Sequence, residues 1–100
     1  RMTTSSLPSG TYRVGWYYEW KHTNTSHDFT GQVQINDIIT IMEHNEEPQD
    51  SGSSQYHSHG GFYYHTGSGI LNVDLDYARS NAAGGTSYIR RARIEIWRVS

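Results

Sequence analysis

The most chemically distinctive short motif in this sequence is His57-Ser58-His59. Alternate residues of an extended strand project from the same face of a sheet, so both imidazoles would point the same way. Imidazole is a good ligand for iron, nickel or zinc, but two nitrogens do not complete a coordination shell. His57 and His59 are therefore candidate metal ligands, and the alternative is a pair of exposed histidines at the edge of a loop.

Asp74 and Asp76 form a second motif of chemical interest, because paired carboxylates can hold a metal ion. Both alternate with Leu71, Val73 and Leu75, and this period of two predicts instead the solvent side of a half-buried strand. No nucleophile with an adjacent base accompanies them, and the glycine-rich run at 66–69 is not followed by a helix. We therefore predict a protein that is not an enzyme, with no catalytic residue and no cofactor.

Four tyrosines do not follow the alternation of the strands around them: Tyr17, Tyr56, Tyr63 and Tyr64. Exposed aromatic rings can stack on sugar rings, so these four are candidate ligand-binding residues. Tyrosine and tryptophan are also enriched in subunit interfaces. We favour the interface, and binding of a surface glycan is the alternative.

The elements that carry these residues are predicted to be β-strands. Tyr12, Val14, Trp16, Tyr18 and Trp20 share one parity over ten residues, which is typical of a half-buried strand. Further strands are expected over 29–35, 38–44, 56–65, 71–77 and 86–100, with a break or bulge at Gly60-Gly61.

No segment shows the 3.6-residue period of an amphipathic helix. Strands at this spacing predict an all-β fold, a compact jelly-roll-like sandwich of about six to eight strands. The predicted core consists of Trp16, Trp20, Phe29, Val33, Leu71, Val73 and Leu75.

The last strand has apolar residues on both of its predicted faces. Ala92, Ile94 and Ile96 share one parity, and Ile89, Trp97 and Val99 are placed on the other. Such a strand is either central in the sandwich or pressed against another subunit. The predicted interface residues are Ile89, Arg91, Arg93, Trp97 and Val99. The two arginines would need acidic partners, which could be Asp74, Asp76 or a glutamate of a neighbouring chain.

Composition limits the classes of function. The 100 residues fit one domain, with residues 1–9 as a linker or arm and residues 10–100 as the domain. The formal net charge of −2 gives no footprint for nucleic acid, and no apolar run reaches the length of a membrane-spanning helix. With 34% hydrophobic residues the chain is poor in apolar material, which indicates either a thin sandwich or a protein that buries further apolar surface against a partner.

The order of the strands suggests a family. Four segments carry the resemblance: "SGTYRVGWYYEWKHT", "IMEHNEEPQD", "GFYYHTGSGILNVDLDYA" and "IRRARIEIWRV". Together they resemble the small C-terminal jelly-roll domains, similar to the C1q and tumour-necrosis-factor type, of tailed-bacteriophage virion proteins. The resemblance implies a homotrimer with the last strand near the threefold axis. It also implies that three copies of His57 and His59 could supply six nitrogens to one metal ion on that axis.

The function expected from the sequence is therefore a non-enzymatic structural module of a virion. It would form the trimeric head of a phage fibre or a capsid decoration protein, and its partners would be other virion proteins or a host surface glycan. Loops at 22–28, 45–55 and 79–85 would be free to meet a receptor or the capsid. The alternative is a monomeric carbohydrate-binding module that uses exposed tyrosine and tryptophan.

Overall fold

The computed structural model describes residues 1–23, 28–48, 56–67, 71–79 and 86–100, with Arg79 described by its backbone. The chain is all-β in these ranges, with seven strands in two antiparallel sheets. Most of the three predicted loops, 22–28, 45–55 and 79–85, lies outside the described residues. Among the residues that the structure describes, no helix is long and apolar enough to cross a membrane.

The strands divide between a four-stranded sheet of order β1-β6-β3-β4 and a three-stranded sheet of order β5-β2-β7. Their bounds are β1 Met2–Thr3, β2 Gly10–His22, β3 Phe29–Ile35, β4 Ile39–Glu46, β5 His57–Gly67, β6 Val73–Arg79 and β7 Ser87–Arg98. β3 and β4 pair as a hairpin. The strands on either side of that hairpin in the sequence, β2 and β5, pair with each other, and so do the next two outward, β1 and β6. This wrapped-hairpin arrangement confirms the predicted jelly-roll-like sandwich.

A single core lies between the two sheets. Alternate side chains of β2 enter it, since Tyr12, Val14, Trp16, Tyr18 and Trp20 are all buried. All seven predicted core residues are buried as well. The aromatic run of β2 is thus explained by burial, because one side of a strand of 13 residues supplies a large share of the interior.

The β3–β4 hairpin turns at Asn36 and Asp37, as predicted. Both residues have positive φ, 55° and 57°. Asparagine and aspartate tolerate this left-handed conformation better than other residues with a side chain, and it matches the twist of the paired strands. The backbone N–H of Ile38 donates to the carbonyl oxygen of Ile35 at 3.1 Å and closes the turn.

The predicted break in β5 at Gly60-Gly61 is wrong. β5 pairs with β2 without a register shift, from Gly10 opposite Gly67 to Trp20 opposite His57. The glycines serve close packing instead, because a Cβ added at Gly61 would lie 3.0 Å from the Trp16 indole and one at Gly60 would lie 3.1 Å from the Trp16 carbonyl oxygen.

β7 is an edge strand with a bulge, so of the two alternatives for the last strand the central one is wrong. The register with β2 shifts between Tyr17 and Glu19, and Arg91 has a φ of 52° at that point. A bulge inserts one extra residue and changes which side chains face inward. Ile89 therefore packs against the core on the same side as Ile94, and it does not share a face with Trp97.

The first nine residues, expected to be a linker or arm, lie along the sandwich. Met2 and Thr3 pair with β6, and Leu7 forms a bridge with Leu71. Arg1 reaches the outer side of the four-stranded sheet, where its guanidinium lies 2.7 Å from an Asp37 oxygen and 2.8 Å from Asp76. The arm is therefore held by backbone pairing and by an exposed ion-pair network.

Candidate functional site

The outer side of the three-stranded sheet carries an unusual concentration of aromatic and basic side chains. The residues of β2 that alternate with the core residues face outward, and the strand registers place partners from β5 and β7 beside them. We call this surface the aromatic face. It consists of Arg13, Gly15, Tyr17, Glu19, Lys21, Tyr56, Phe62, Tyr64, Tyr88, Arg90, Arg91, Arg93, Glu95 and Trp97.

Large rings on this surface are open to solvent. The exposed fractions are 55% for Phe62, 56% for Tyr64 and 62% for Trp97. Arg13 lies opposite Tyr64 on one side and opposite Trp97 on the other, with its guanidinium 4.4 Å from the centre of the Phe62 ring. These four residues form one patch at the end of the sheet where β2 begins.

The other end of the aromatic face is organised around Tyr56 and Lys21. The Lys21 ammonium lies 5.0 Å from the ring centres of both Tyr56 and Tyr88. The Arg90 guanidinium lies 3.8 Å from the Tyr56 ring. A cation over the face of a ring is attracted by it, and here both Lys21 and Tyr56 are half-buried.

Glu19 is the anionic centre of this surface. Its carboxylate accepts from Arg90 at 2.7 Å, from Arg91 at 3.3 Å and from the Tyr17 hydroxyl at 2.9 Å. These bonds, with Arg90 first, hold the pKa of Glu19 below its usual value. The same carboxylate raises the pKa of Tyr17. Tyr17 is thus a positioned hydrogen-bond donor to Glu19.

The aromatic face has an excess of positive charge. It carries five basic side chains against the two carboxylates of Glu19 and Glu95. Arg93 pairs with Glu95 at 3.0 Å and lies 4.6 Å from the Tyr17 ring centre. Of the acidic partners considered for Arg91 and Arg93, Asp74 and Asp76 are excluded, because a strand of the other sheet carries them and Arg1 pairs with them. The two arginines pair instead with Glu19 and Glu95 of the same chain.

Three of the four predicted ligand-binding tyrosines lie on this face, and the fourth does not. Tyr17, Tyr56 and Tyr64 face outward, whereas Tyr63 lies opposite Val14 on the inner side at the rim of the sandwich. Tyr63 is nevertheless 44% exposed, because the outer half of an edge strand is not covered by the second sheet. The four tyrosines thus form no single platform.

Of the five predicted interface residues, four are exposed on β7 or just after it. Arg91, Arg93, Trp97 and Val99 are open to solvent, and the backbone N–H of Val99 donates to the carbonyl oxygen of Thr11. Ile89 is half-buried against the core because of the bulge at Arg91. Their role in a subunit interface stays a prediction.

His57 and His59 project from the same face of β5, as the spacing predicts. Both lie on the inner side, opposite Trp20 and Tyr18, at the rim of the sandwich. The His59 ring stacks on His44 of β4 with 4.0 Å between centres and 2° between planes. Burial first, and the nearby His44 second, lower the pKa of His59. Across the described part of the chain no group of three or more histidine and carboxylate side chains is placed to hold a metal ion.

His44 is a residue that the sequence analysis missed. Its Nδ1 bonds with the Tyr18 hydroxyl and its Nε2 with the Glu46 carboxylate at 2.8 Å. Burial raises the pKa of Tyr18 well above its usual value. The alternation of Met42 and His44 on a short strand was a signal for an inward histidine, but nothing in the sequence placed it against His59.

Arg13, Lys21, Phe62 and Tyr88 were also missed. They lie on the polar parity of their strands, and the sequence alone does not show that β5, β2 and β7 are neighbours. The contacts of the Arg13 guanidinium with the Phe62 ring and of the Lys21 ammonium with the Tyr88 ring follow only from that strand order.

Comparison with known proteins gives no match to a family model, to a curated protein or to a solved structure. The fold and the aromatic face therefore carry the functional argument.

Proposed function

We propose that this chain is a non-enzymatic assembly module that binds further copies of itself through the aromatic face. In this proposal it forms a homotrimer and serves a virion as the head of a fibre or as a capsid decoration protein. The virion setting rests on the resemblance of the strand pattern to small phage jelly rolls. The assembly role rests on the surface itself.

The observation that carries the proposal is that residue types typical of protein interfaces are exposed together on one outer surface. Aromatic residues and arginine are the residue types enriched in protein interfaces, and they are collected on one outer surface of the sandwich. Phe62, Tyr64 and Trp97 remain about half exposed or more in the protomer. Full burial of such a side chain contributes about 1.5–3 kcal/mol, so these rings gain stability once a partner covers them.

Four of the five predicted interface residues lie on this surface or next to it, and Ile89 does not. Trp97 and Arg93 lie on the aromatic face, Arg91 joins it through Glu19, and Val99 follows directly after β7. A threefold arrangement would bring the aromatic face of each protomer against its neighbour. Arg13, Phe62 and Tyr64 then belong to the same contact as Trp97.

The experiment is native mass spectrometry of the unmodified chain and of two matched variants. Trp97→Asp places a carboxylate on the aromatic face, and Gln32→Asp places one on the outer side of the four-stranded sheet. We expect the unmodified chain and Gln32→Asp to have a mass of three copies or a multiple of three. Trp97→Asp should lose that factor of three, and an unchanged mass would remove the aromatic face from the contact.

A second candidate function is carbohydrate binding, which the patch of Arg13, Phe62, Tyr64 and Trp97 favours. Exposed rings beside a hydrogen-bond donor are a known arrangement for stacking and orienting a sugar. Titration with glycans tests it by comparing Tyr64→Ala, on the patch, with Tyr63→Ala, on the opposite side of the same strand. Only Tyr64→Ala should weaken binding, and equal losses would exclude a platform on this face.

A further inference from the structure

The sheet edges of this sandwich are not equally protected against pairing with another strand. β1 is two residues long, and β4 has a register shift and carries Glu43 and Glu46. β7 has the bulge at Arg91 and charged residues along its length. Short strands, bulges and charges are the usual devices that prevent edge-to-edge association.

β5 has none of these devices. It is 11 residues long, it contains no proline and no aspartate, glutamate, lysine or arginine, and it pairs with β2 without a register shift. It lies at the end of its sheet, and among the described residues only β2 pairs with it. Phe62, Tyr63 and Tyr64 are exposed in its centre on both of its faces.

We propose that β5 is a pairing edge, and that its partner is the antiparallel β5 of a second copy of this chain. The two three-stranded sheets would then join into one continuous sheet across a twofold axis perpendicular to it. This pairing involves the edge of the sheet and not the aromatic face, so it does not rest on the proposed function. It places the aromatic faces of both copies on the same side.

The sequence of β5 complements itself about its middle residue, Phe62. In the antiparallel register centred there, Gly60 faces Tyr64 of the second copy and Gly61 faces Tyr63 of the second copy. Within the protomer Trp16 of β2 already lies over Gly61, so Tyr63 of the second copy would pack beside that indole, across the strand from it. Cross-strand aromatic pairs and glycines covered by rings both stabilise a sheet and fix its register.

The length of the contact is sufficient for a specific dimer. Eleven residues at about 3.3 Å each give a seam of about 36 Å. Full antiparallel pairing over it would form about ten backbone hydrogen bonds. A shift by two residues either way leaves residues at one end of the strand unpaired and moves tyrosines off the glycines, so the centred register is the one we assign.

The test uses sedimentation equilibrium in the Trp97→Asp background, in which the contact through the aromatic face is removed. We expect a dimer there. Adding Tyr63→Lys introduces a charge beside the twofold axis and should weaken dimerisation at least tenfold. The control is Tyr77→Lys, since Tyr77 is 43% exposed against 44% for Tyr63 and lies on the other sheet. A monomeric Trp97→Asp variant, or equal effects of the two lysines, would overturn the proposal.

The two proposals fail separately. If both hold, the unmodified chain has six copies, Trp97→Asp alone leaves two and Tyr63→Lys alone leaves three. If only the aromatic face binds, the unmodified chain and Tyr63→Lys both have the mass of three copies. If only β5 binds, Trp97→Asp leaves the mass at two.

The register has its own test, because the chain contains no cysteine and single labels can be introduced cleanly. Nitroxide labels at Phe62→Cys should lie within direct contact range across the axis. Labels at Ser58→Cys and at Thr66→Cys should each be separated by eight residues of strand, about 27 Å along the backbone. Unequal distances for positions 58 and 66, or no close approach at 62, would overturn this register.

Discussion

The two outer surfaces of the sandwich differ sharply although they cover the same core. The outer side of the four-stranded sheet, which we call the polar face, carries side chains such as Thr30, Gln32, Gln34, Glu43 and Asn45. Thr30 and Gln34 donate hydrogen bonds across to β4, and Asn45 donates to Glu43 along it. The aromatic face carries rings and guanidinium groups that remain largely exposed. Only the polar face has the composition expected of a surface that stays in water.

Charge follows the same division. On the polar face the acidic residues Asp74 and Asp76 share the single positive charge of Arg1, and Asp74 is buried beneath the arm. On the aromatic face positive charges exceed negative ones. The chain as a whole is slightly acidic, so this difference arises from where the strands place the charges and not from composition. The comparison teaches that the placement of charges and rings on each face, and not the net charge or composition of the chain, indicates where a proposed partner would bind.

The largest effect is expected from removing a ring inside the sandwich instead of one on the aromatic face. Trp20 is 1% exposed and stacks on Phe29 with 5.0 Å between ring centres. Trp20→Ala should lower the free energy of unfolding by about 3–5 kcal/mol, because a cavity remains. Trp97→Ala should change it by only about 0.5 kcal/mol in the isolated protomer. Chemical denaturation measures both, and a similar loss for the two would mean that the aromatic face is part of the protomer's own core.

Two buried glycines differ in the room that their neighbours leave for a side chain. A Cβ at Gly31 would collide with the Tyr18 hydroxyl, whereas one at Gly15 on the aromatic face has its nearest neighbours at 3.7 Å. Gly31→Ala should cost about 1–3 kcal/mol of stability through overpacking. Gly15→Ala should be neutral or stabilise by about 0.5–1 kcal/mol. Thermal unfolding distinguishes them, and a destabilising Gly15→Ala would show that Arg13 and Glu95 leave no room for a methyl group there.

A smaller effect on stability is expected when the pH is lowered, because His59 lies at the rim between the two sheets. Burial and His44 lower the pKa of His59, while Glu46 opposes them and Tyr18 is the other polar group nearby. The unfolded chain therefore binds a proton more readily than the folded one. Stability should be complete above the usual histidine pKa of 6.5 and should fall as the pH drops from there towards the lowered value.

Denaturation curves between about pH 8 and pH 5 measure this loss. In His59→Asn the part of the slope that comes from His59 should be absent. An identical slope in the variant and in the unmodified chain would show that other groups cause it.

The smallest effect should come from Glu19, which organises the aromatic face. Its lowered pKa favours the ionised form in the folded protein. The stability that it contributes is present above the usual glutamate pKa of 4.5 and is lost as the pH falls through the lowered value. Glu19→Gln should therefore flatten the acid side of the stability profile. No change there would mean that Arg90 and Arg91 are held by other contacts.

The fold could be predicted from the sequence to the level of strands and core. Alternation of Tyr12 to Trp20 and of Leu71 to Leu75 fixed which residues are buried, because burial on one side imposes a period of two. Strand order could not be obtained this way. The neighbours of β2 are distant in sequence, and no local pattern states that β5 and β7 lie on either side of it.

The candidate site was predicted only in part for two physical reasons. The extra residue at Arg91 reverses the parity of everything before it in β7, and this misplaced Ile89. The glycines at 60 and 61 indicated a bulge, but they are required by the approach of Trp16. In both cases the backbone conformation depends on contacts with β2, a neighbouring strand that the local sequence does not reveal.

The central position of β2 has a consequence for how the chain folds during synthesis. β2 pairs with β5 and with β7, and its partners in β7 are more than 60 residues further along the chain. Its aromatic side chains therefore leave the ribosome long before either neighbouring strand exists. Such non-local pairing makes folding slow, and the nascent chain must keep a ring-rich segment from aggregating in the meantime. We expect fragments that end before β7 to depend on chaperones.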